Sequence, residues 1–133
     1  MTPGLIERLE AGGEGSRELD AEIAVWSAYR GAVCIVDARE ESIFRHQPGW
    51  CRDANDISIL APNYTTSLDA ALALAERVLP DLTKINVWTY VRGKHHHCEI
   101  ETDEDEFDAL NASTPALALC IAILKARATQ EQG

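Results

Sequence analysis

The most restrictive feature of this sequence is an alternation. From Lys84 to Val91, Ile85, Val87 and Val91 fall on one face and Asn86, Trp88 and Tyr90 on the other, as in a strand that buries one side only. Gly93-Lys94 then suits a two-residue hairpin turn with glycine first. That turn imposes a register in which Val91 faces His96 and Val87 faces Ile100, so that Cys98 and Ile100 join the apolar face. On the other face Tyr90 meets His97 and Trp88 meets Glu99. The dry side of such a hairpin needs apolar helices across it.

Helices with apolar sides are written on both flanks. Thr2 and Pro3 suit the start of a short helix carrying Leu5, Ile6 and Leu9, which Gly12 and Gly13 stop. Ser16 caps a second helix, with Glu18 and Asp20 near its positive end and Leu19, Ile23 and Trp26 as its stripe; Gly31 is its expected stop. Ser67 opens a third, with Leu68, Ala71, Leu72, Ala75, Val78 and Leu79 on one side, and Pro80 ends it. Thr114 or Ser113 caps the last, Pro115 takes its first position, and Leu117, Cys120, Ile121 and Leu124 recur at helical spacing. Lys125 and Arg127 close it, and the polar tail after Ala128 is expected to fray.

Between these elements the pattern weakens. Ala32 to Val36 is uncharged and partly β-branched, which predicts a short buried strand. Arg39 to Asn63 mixes Pro48, Gly49 and Pro62 with apolar patches around Ile43 and from Ile57 to Leu60, one or both of them candidate strands within loop. Asp103 to Asp108 holds five carboxylates in six residues and reads as a solvated connection.

Composition narrows the class. A chain of 133 residues suits one domain, spanning 1–133. Hydrophobic residues at 46% and charged residues at 26% describe a folding chain rather than a disordered one. The early acidic residues do not suit a signal peptide, and no apolar run reaches the roughly 18 residues of a membrane span. A cytoplasmic location is therefore expected. Cys34, Cys51, Cys98 and Cys120 lie far apart, without paired C-x-x-C spacing, and are expected to be reduced and mostly buried. The net charge of −10, from 22 acidic and 12 basic residues, argues against nucleic acid as a partner.

Three ordered blocks carry a resemblance: Ser16-Arg-Glu-Leu-Asp-Ala-Glu-Ile-Ala24, Tyr64-Thr-Thr-Ser-Leu-Asp-Ala-Ala-Leu-Ala-Leu74, and Ser113-Thr-Pro-Ala-Leu-Ala-Leu-Cys-Ile-Ala-Ile-Leu-Lys-Ala-Arg127. In these the chain resembles the phage ABA sandwich family of phage and prophage proteins. The resemblance implies an α+β fold, an α/β/α sandwich with a small, largely antiparallel sheet and about four helices, and a phage-type origin in a bacterial host cell. It implies no activity and no catalytic or cofactor-binding residues. The segment from Val33 to Pro62 follows no pattern of the family.

The chemistry-bearing residues admit several readings. His95, His97, Glu99 and Glu101 share one strand face, and with Cys98 in the same segment they make His95, His97, Cys98 and Glu99 candidate metal ligands. A tetrahedral site draws ligands from a second element, which Cys34, Cys51 or His46 could supply. Cys51 beside Arg52 and His46 is a candidate nucleophile without a base at defined spacing. The acidic run could mimic a nucleic-acid backbone toward a basic host protein, but it lacks the pattern of a calcium loop. Trp88 and Tyr90 are covered by a helix, the second being the expected one, or else form an interaction surface, with a symmetric homodimer as the default. Together these readings favour a non-enzymatic accessory protein without a cofactor, binding another protein or itself. The alternative is a small metal-dependent or thiol enzyme using the His95 to Cys98 segment.

Overall fold

The structure is a computed structural model that describes residues 2–11, 15–36, 48–92 and 94–132. The fold is α+β, with four helices and two three-stranded antiparallel sheets. In chain order the elements are α1 (Thr2–Ala11), α2 (Arg17–Trp26), β1 (Ala32–Ile35), β2 (Trp50–Asp53), β3 (Ser58–Leu60), α3 (Leu68–Val78), β4 (Leu82–Tyr90), β5 (His95–Thr102), β6 (Glu106–Ala112) and α4 (Pro115–Gln132). The sheets run β1-β2-β3 and β4-β5-β6. The expected capping side chains of Thr2 and Pro3, the Gly12-Gly13 stop, the patch around Ile43, His46 and the turn residue Gly93 lie outside the described residues or side chains.

The helix starts follow the capping chemistry. Ser16 accepts from the Leu19 amide at 3.1 Å, Ser67 from Ala70 at 3.3 Å, and Thr114 from Leu117 at 2.9 Å, each satisfying an otherwise orphaned donor. The ends follow tertiary contacts instead. The second helix stops at Trp26, short of Gly31, with Ala28 and Arg30 in the left-handed region. There Arg77 donates to the Ser27 carbonyl at 2.6 Å and to its hydroxyl at 2.7 Å, a fork fixed fifty residues away. The last helix runs past Ala128 to Gln132.

That last helix organises the interior. Every residue from Ala116 to Leu124 is buried, which a helix achieves only when neighbours surround it. β4, β5 and β6 pack on it from one side, and α1 and α3 from others. Ile100 and Cys98 of β5 and Ala109 of β6 are buried in the same core, and Ile85 and Val87 are partly buried against it. The stripe expected from Leu117 to Leu124 is thus dry, and the apolar side of the hairpin meets a helix.

A polar hub ties the helix starts together. Asp20 is 1% exposed; its carboxylate accepts from the Thr65 amide and hydroxyl, both at 2.8 Å, and pairs with Arg17 at 2.8 Å. Arg17 also donates to the carbonyls of Ala61 and Pro62 and to Asn63, while Thr114 donates to the Thr65 carbonyl at 2.7 Å. A buried charge is tolerated where it is paired and fully hydrogen-bonded, as here. The hub leaves no room for side chains at two glycines: a Cβ on Gly15 would lie 2.8 Å from the Thr65 hydroxyl, and one on Gly49 2.8 Å from the Arg17 guanidinium. Both glycines have positive φ, 89° and 108°, which only glycine adopts at little cost.

The structure corrects several local expectations. Ala32–Ile35 is a strand, but an edge one, with Val33 and Ile35 exposed rather than buried. Residues 50–53, read as loop, form the central strand of the first sheet, between β1 and β3. Half of the acidic run is strand: β6 begins at Glu106, and the turn before it is held by Thr102, whose hydroxyl accepts from the amides of Glu104 and Asp105. The hairpin register also differs. Trp88 pairs with His97 and Tyr90 with His95, because four residues rather than two join the strands. A shift of two residues keeps the paired side chains on their expected faces, since side chains in a strand alternate with period two, but Val91, expected on the apolar face opposite His96, falls in the turn and is exposed.

Candidate functional site

Cross-strand alternation sorts the chemistry-bearing residues of β4 to β6 onto opposite sides. The face turned away from α4 carries Lys84, Asn86, Trp88 and Tyr90 from β4, and His95, His97, Glu99 and Glu101 from β5. β6 adds Glu106 opposite Glu101 and Asp108 opposite Glu99. Among the described residues α4 is the helix packed on this sheet, and it lies on the other side. The helix expected to cover Trp88 and Tyr90, α2, packs against β1 and β2 instead. Trp88 is consequently 38% exposed and Tyr90 47%.

At one end of this open face four rings form a platform. Tyr90 stacks on His95 with centroids 5.0 Å apart, and His95 on His97 at 5.1 Å. Tyr90 and His97 are 4.7 Å apart, and Trp88 and His97 5.6 Å, in tilted contact. These distances are those of favourable aromatic pairs. His97 is held further by Asn111, whose Oδ1 lies 3.4 Å from its Nε2. His96 points to the other side, where its Nδ1 meets the Thr89 hydroxyl at 2.7 Å.

The other end of the face is acidic. Glu99 and Asp108 stand directly opposite each other across β5 and β6, as do Glu101 and Glu106. The hydrogen bond and the charge of Glu101, and then the charge of Glu99, push the Glu106 carboxyl above the usual carboxylate range. Like charges directly opposite on a sheet destabilise it. Lys84, opposite Glu101, is the one lysine or arginine within the three strands.

The candidate metal set is divided by the same alternation. His95, His97 and Glu99 face outward, while Cys98 is fully buried on the α4 side. Burial, and then the charge of Glu99, push its thiol up to about 12. Among the described residues no group of three or more histidine, cysteine, aspartate or glutamate side chains is arranged to hold a metal ion.

The thiols are arranged as core. Cys51 is fully buried in β2, its S–H directed at the Ala21 carbonyl 3.5 Å away, and burial raises its pKa. Arg52, the neighbour proposed to activate it, is the next residue along the strand and forms an ion pair with Asp56 at 3.3 Å. Cys120 directs its thiol at the Tyr64 carbonyl at 3.2 Å and is likewise raised by burial. Cys34 alone of the four is exposed, and all four are free. A thiol held protonated in a dry interior is a poor nucleophile.

Elsewhere, Arg77 and Arg127 border a depression at the ends of α2 and α3 with Trp26, Ser27 and Pro80. Arg77 is committed there to Ser27, and its guanidinium lies 5.8 Å from the Tyr29 ring centroid. No helix among the described residues is long and apolar enough to cross a membrane. Comparison of the chain with protein-family models, with curated proteins and with solved structures returned no match.

Proposed function

We propose that the protein is a non-enzymatic accessory protein of phage or prophage type, working in the cytoplasm of a bacterial host and binding another protein through the open face of β4 to β6. The observation that carries this reading is the platform of Trp88, Tyr90, His95 and His97, with Trp88 and Tyr90 exposed and the two histidines half-buried, on a side that the helices leave uncovered. Exposed aromatic groups in ordered contact are costly to leave in water and are common anchors of protein interfaces. The buried state of Cys51, Cys98 and Cys120 weighs against the thiol alternative, and the division of Cys98 from His95, His97 and Glu99 weighs against the metal one. The phage-type assignment rests on the three sequence blocks alone.

Photo-crosslinking tests the surface. With p-benzoylphenylalanine incorporated at position 90 in bacterial cells, a discrete adduct should form that is missing when the same probe stands at exposed position 76 on α3. An adduct of twice the chain mass, matched by light scattering that rises with concentration, makes the partner a second copy. Equal labelling from both positions, or none from position 90, rejects the reading.

A further inference from the structure

We propose that this face takes an arginine-bearing extended segment of a basic protein, whose guanidinium groups lie between the Trp88, Tyr90, His95 and His97 platform and the carboxylates of Glu99, Glu101, Glu106 and Asp108. The inference rests on reading the face as a binding surface and names the chemistry of its partner.

Charge decides among the occupants. The face holds two directly opposed carboxylate pairs and one lysine, with Lys125 of α4 at its edge, bonded to the Asp108 carbonyl and lying to one side of Glu99 and Glu106, so four carboxylates stand against two ammonium groups and negative charge predominates. A second copy of a chain with net charge −10 would bring the same carboxylates against their own kind, and a nucleic-acid backbone would be repelled likewise. A cationic segment removes the repulsion within the Glu99–Asp108 and Glu101–Glu106 pairs while it binds.

The aromatic platform selects the cation. A guanidinium is planar, stacks on aromatic rings and bonds carboxylates with a two-pronged fork, whereas an ammonium is a strongly hydrated point charge. Spacing favours an extended chain: the outward residues His95, His97, Glu99 and Glu101 repeat every second position of β5, about 6.6 Å apart at strand rise. Alternate side chains of an extended segment repeat at the same interval, so a segment lying along β5 with arginine at every second position keeps step with the platform and the carboxylates.

The test is an anisotropy titration of the full chain with a fluorescein-labelled decapeptide of alternating arginine and serine. Saturable binding is expected, weakened about tenfold or more by Glu99→Gln, Glu101→Gln, Glu106→Gln and Asp108→Asn together, as for lost charge-assisted bonds. A peptide with citrulline for arginine should bind as weakly. A control with the same net charge, Glu7→Gln, Glu18→Gln, Asp69→Asn and Glu76→Gln, should stay within about threefold, as expected for screened, distant charges. As a measurement free of mutation, the ring protons of His95 and His97 should shift on peptide addition to the wild-type chain. Absence of saturable binding, equal loss in the control, or histidine signals unmoved by bound peptide overturns the proposal. If these fail while position 90 still crosslinks, the partner chemistry is wrong and the binding surface stands; if position 90 does not crosslink, both fall.

Discussion

The two faces of the β4–β6 sheet are built from the same strands by alternate residues, yet they obey different rules. On the α4 side, Cys98, Ile100 and Ala109 are excluded from water and their energetics follow packing. On the other side, Trp88, Tyr90 and the paired carboxylates meet solvent, and their energetics follow charge and ring contact. One strand can therefore serve stability and recognition separately, because neighbouring residues never share a face.

The sharpest way to break this contrast is to cut one residue from each face. Ile100→Ala should cost about 2–5 kcal/mol, as for other buried aliphatic truncations, whereas Trp88→Ala should cost less than about 1 kcal/mol. Urea unfolding of the two variants measures both; similar losses would mean that the outer face is also part of the core.

A smaller effect follows from the thiols. Because burial raises Cys98 from its ordinary 9.0 to about 12, the unfolded chain releases a proton in that window that the folded chain retains. Stability from this group is complete below about pH 9 and declines as pH rises toward 12, by at most about 1.4 kcal/mol per pH unit. Cys98→Ala should make the alkaline fall in urea midpoint shallower. At pH 8 a disulfide reagent should titrate Cys34 in the native chain and all four cysteines after denaturation; rapid native labelling of Cys98 would contradict the dry face.

The smallest effect belongs to the outer carboxylates. The Glu106 carboxyl is raised by its bond to Glu101 and by that residue's charge, so the folded state holds its proton more tightly than the unfolded chain does. The repulsion is present at neutral pH and is relieved as pH falls through the raised value. Glu106→Gln should slightly raise the urea midpoint at pH 7 and leave it nearly unchanged once the pH is low enough that carboxylates are protonated in both states.

Legibility in the sequence tracked how local each determinant is. The two faces of β4 and β5 were readable because strict alternation spans many residues, and the three capping side chains because Ser16, Ser67 and Thr114 act within one turn. The hairpin partners were two positions off, since turn length is not encoded in the alternation. β6 was hidden by Glu106 and Asp108, residues poor in strand propensity that are placed there by pairing with β5, and by Asn111 in the register shift between Ala109 and Ala112. β2 was hidden likewise, at four residues carrying Arg52 and Asp53. Asp20, read as a partner of the helix dipole, is instead the centre of a buried hub whose donors come from Thr65, forty-five residues on. Of the candidate site, Trp88, Tyr90, His95 and His97 were legible as one face; the opposed carboxylates of β6 were not.

The placement of α4 bears on the order in which the molecule can assemble. The six strands among the described residues all precede it in the chain, yet it supplies the surface against which β4, β5 and β6 are dry. During synthesis from the N-terminus, Ile100 and Cys98 must wait for the segment from Ala116 to Leu124 to leave the ribosome before their water is displaced. Until then the nascent sheet is greasy on one side and ringed or charged on the other, a state in which aggregation competes with folding.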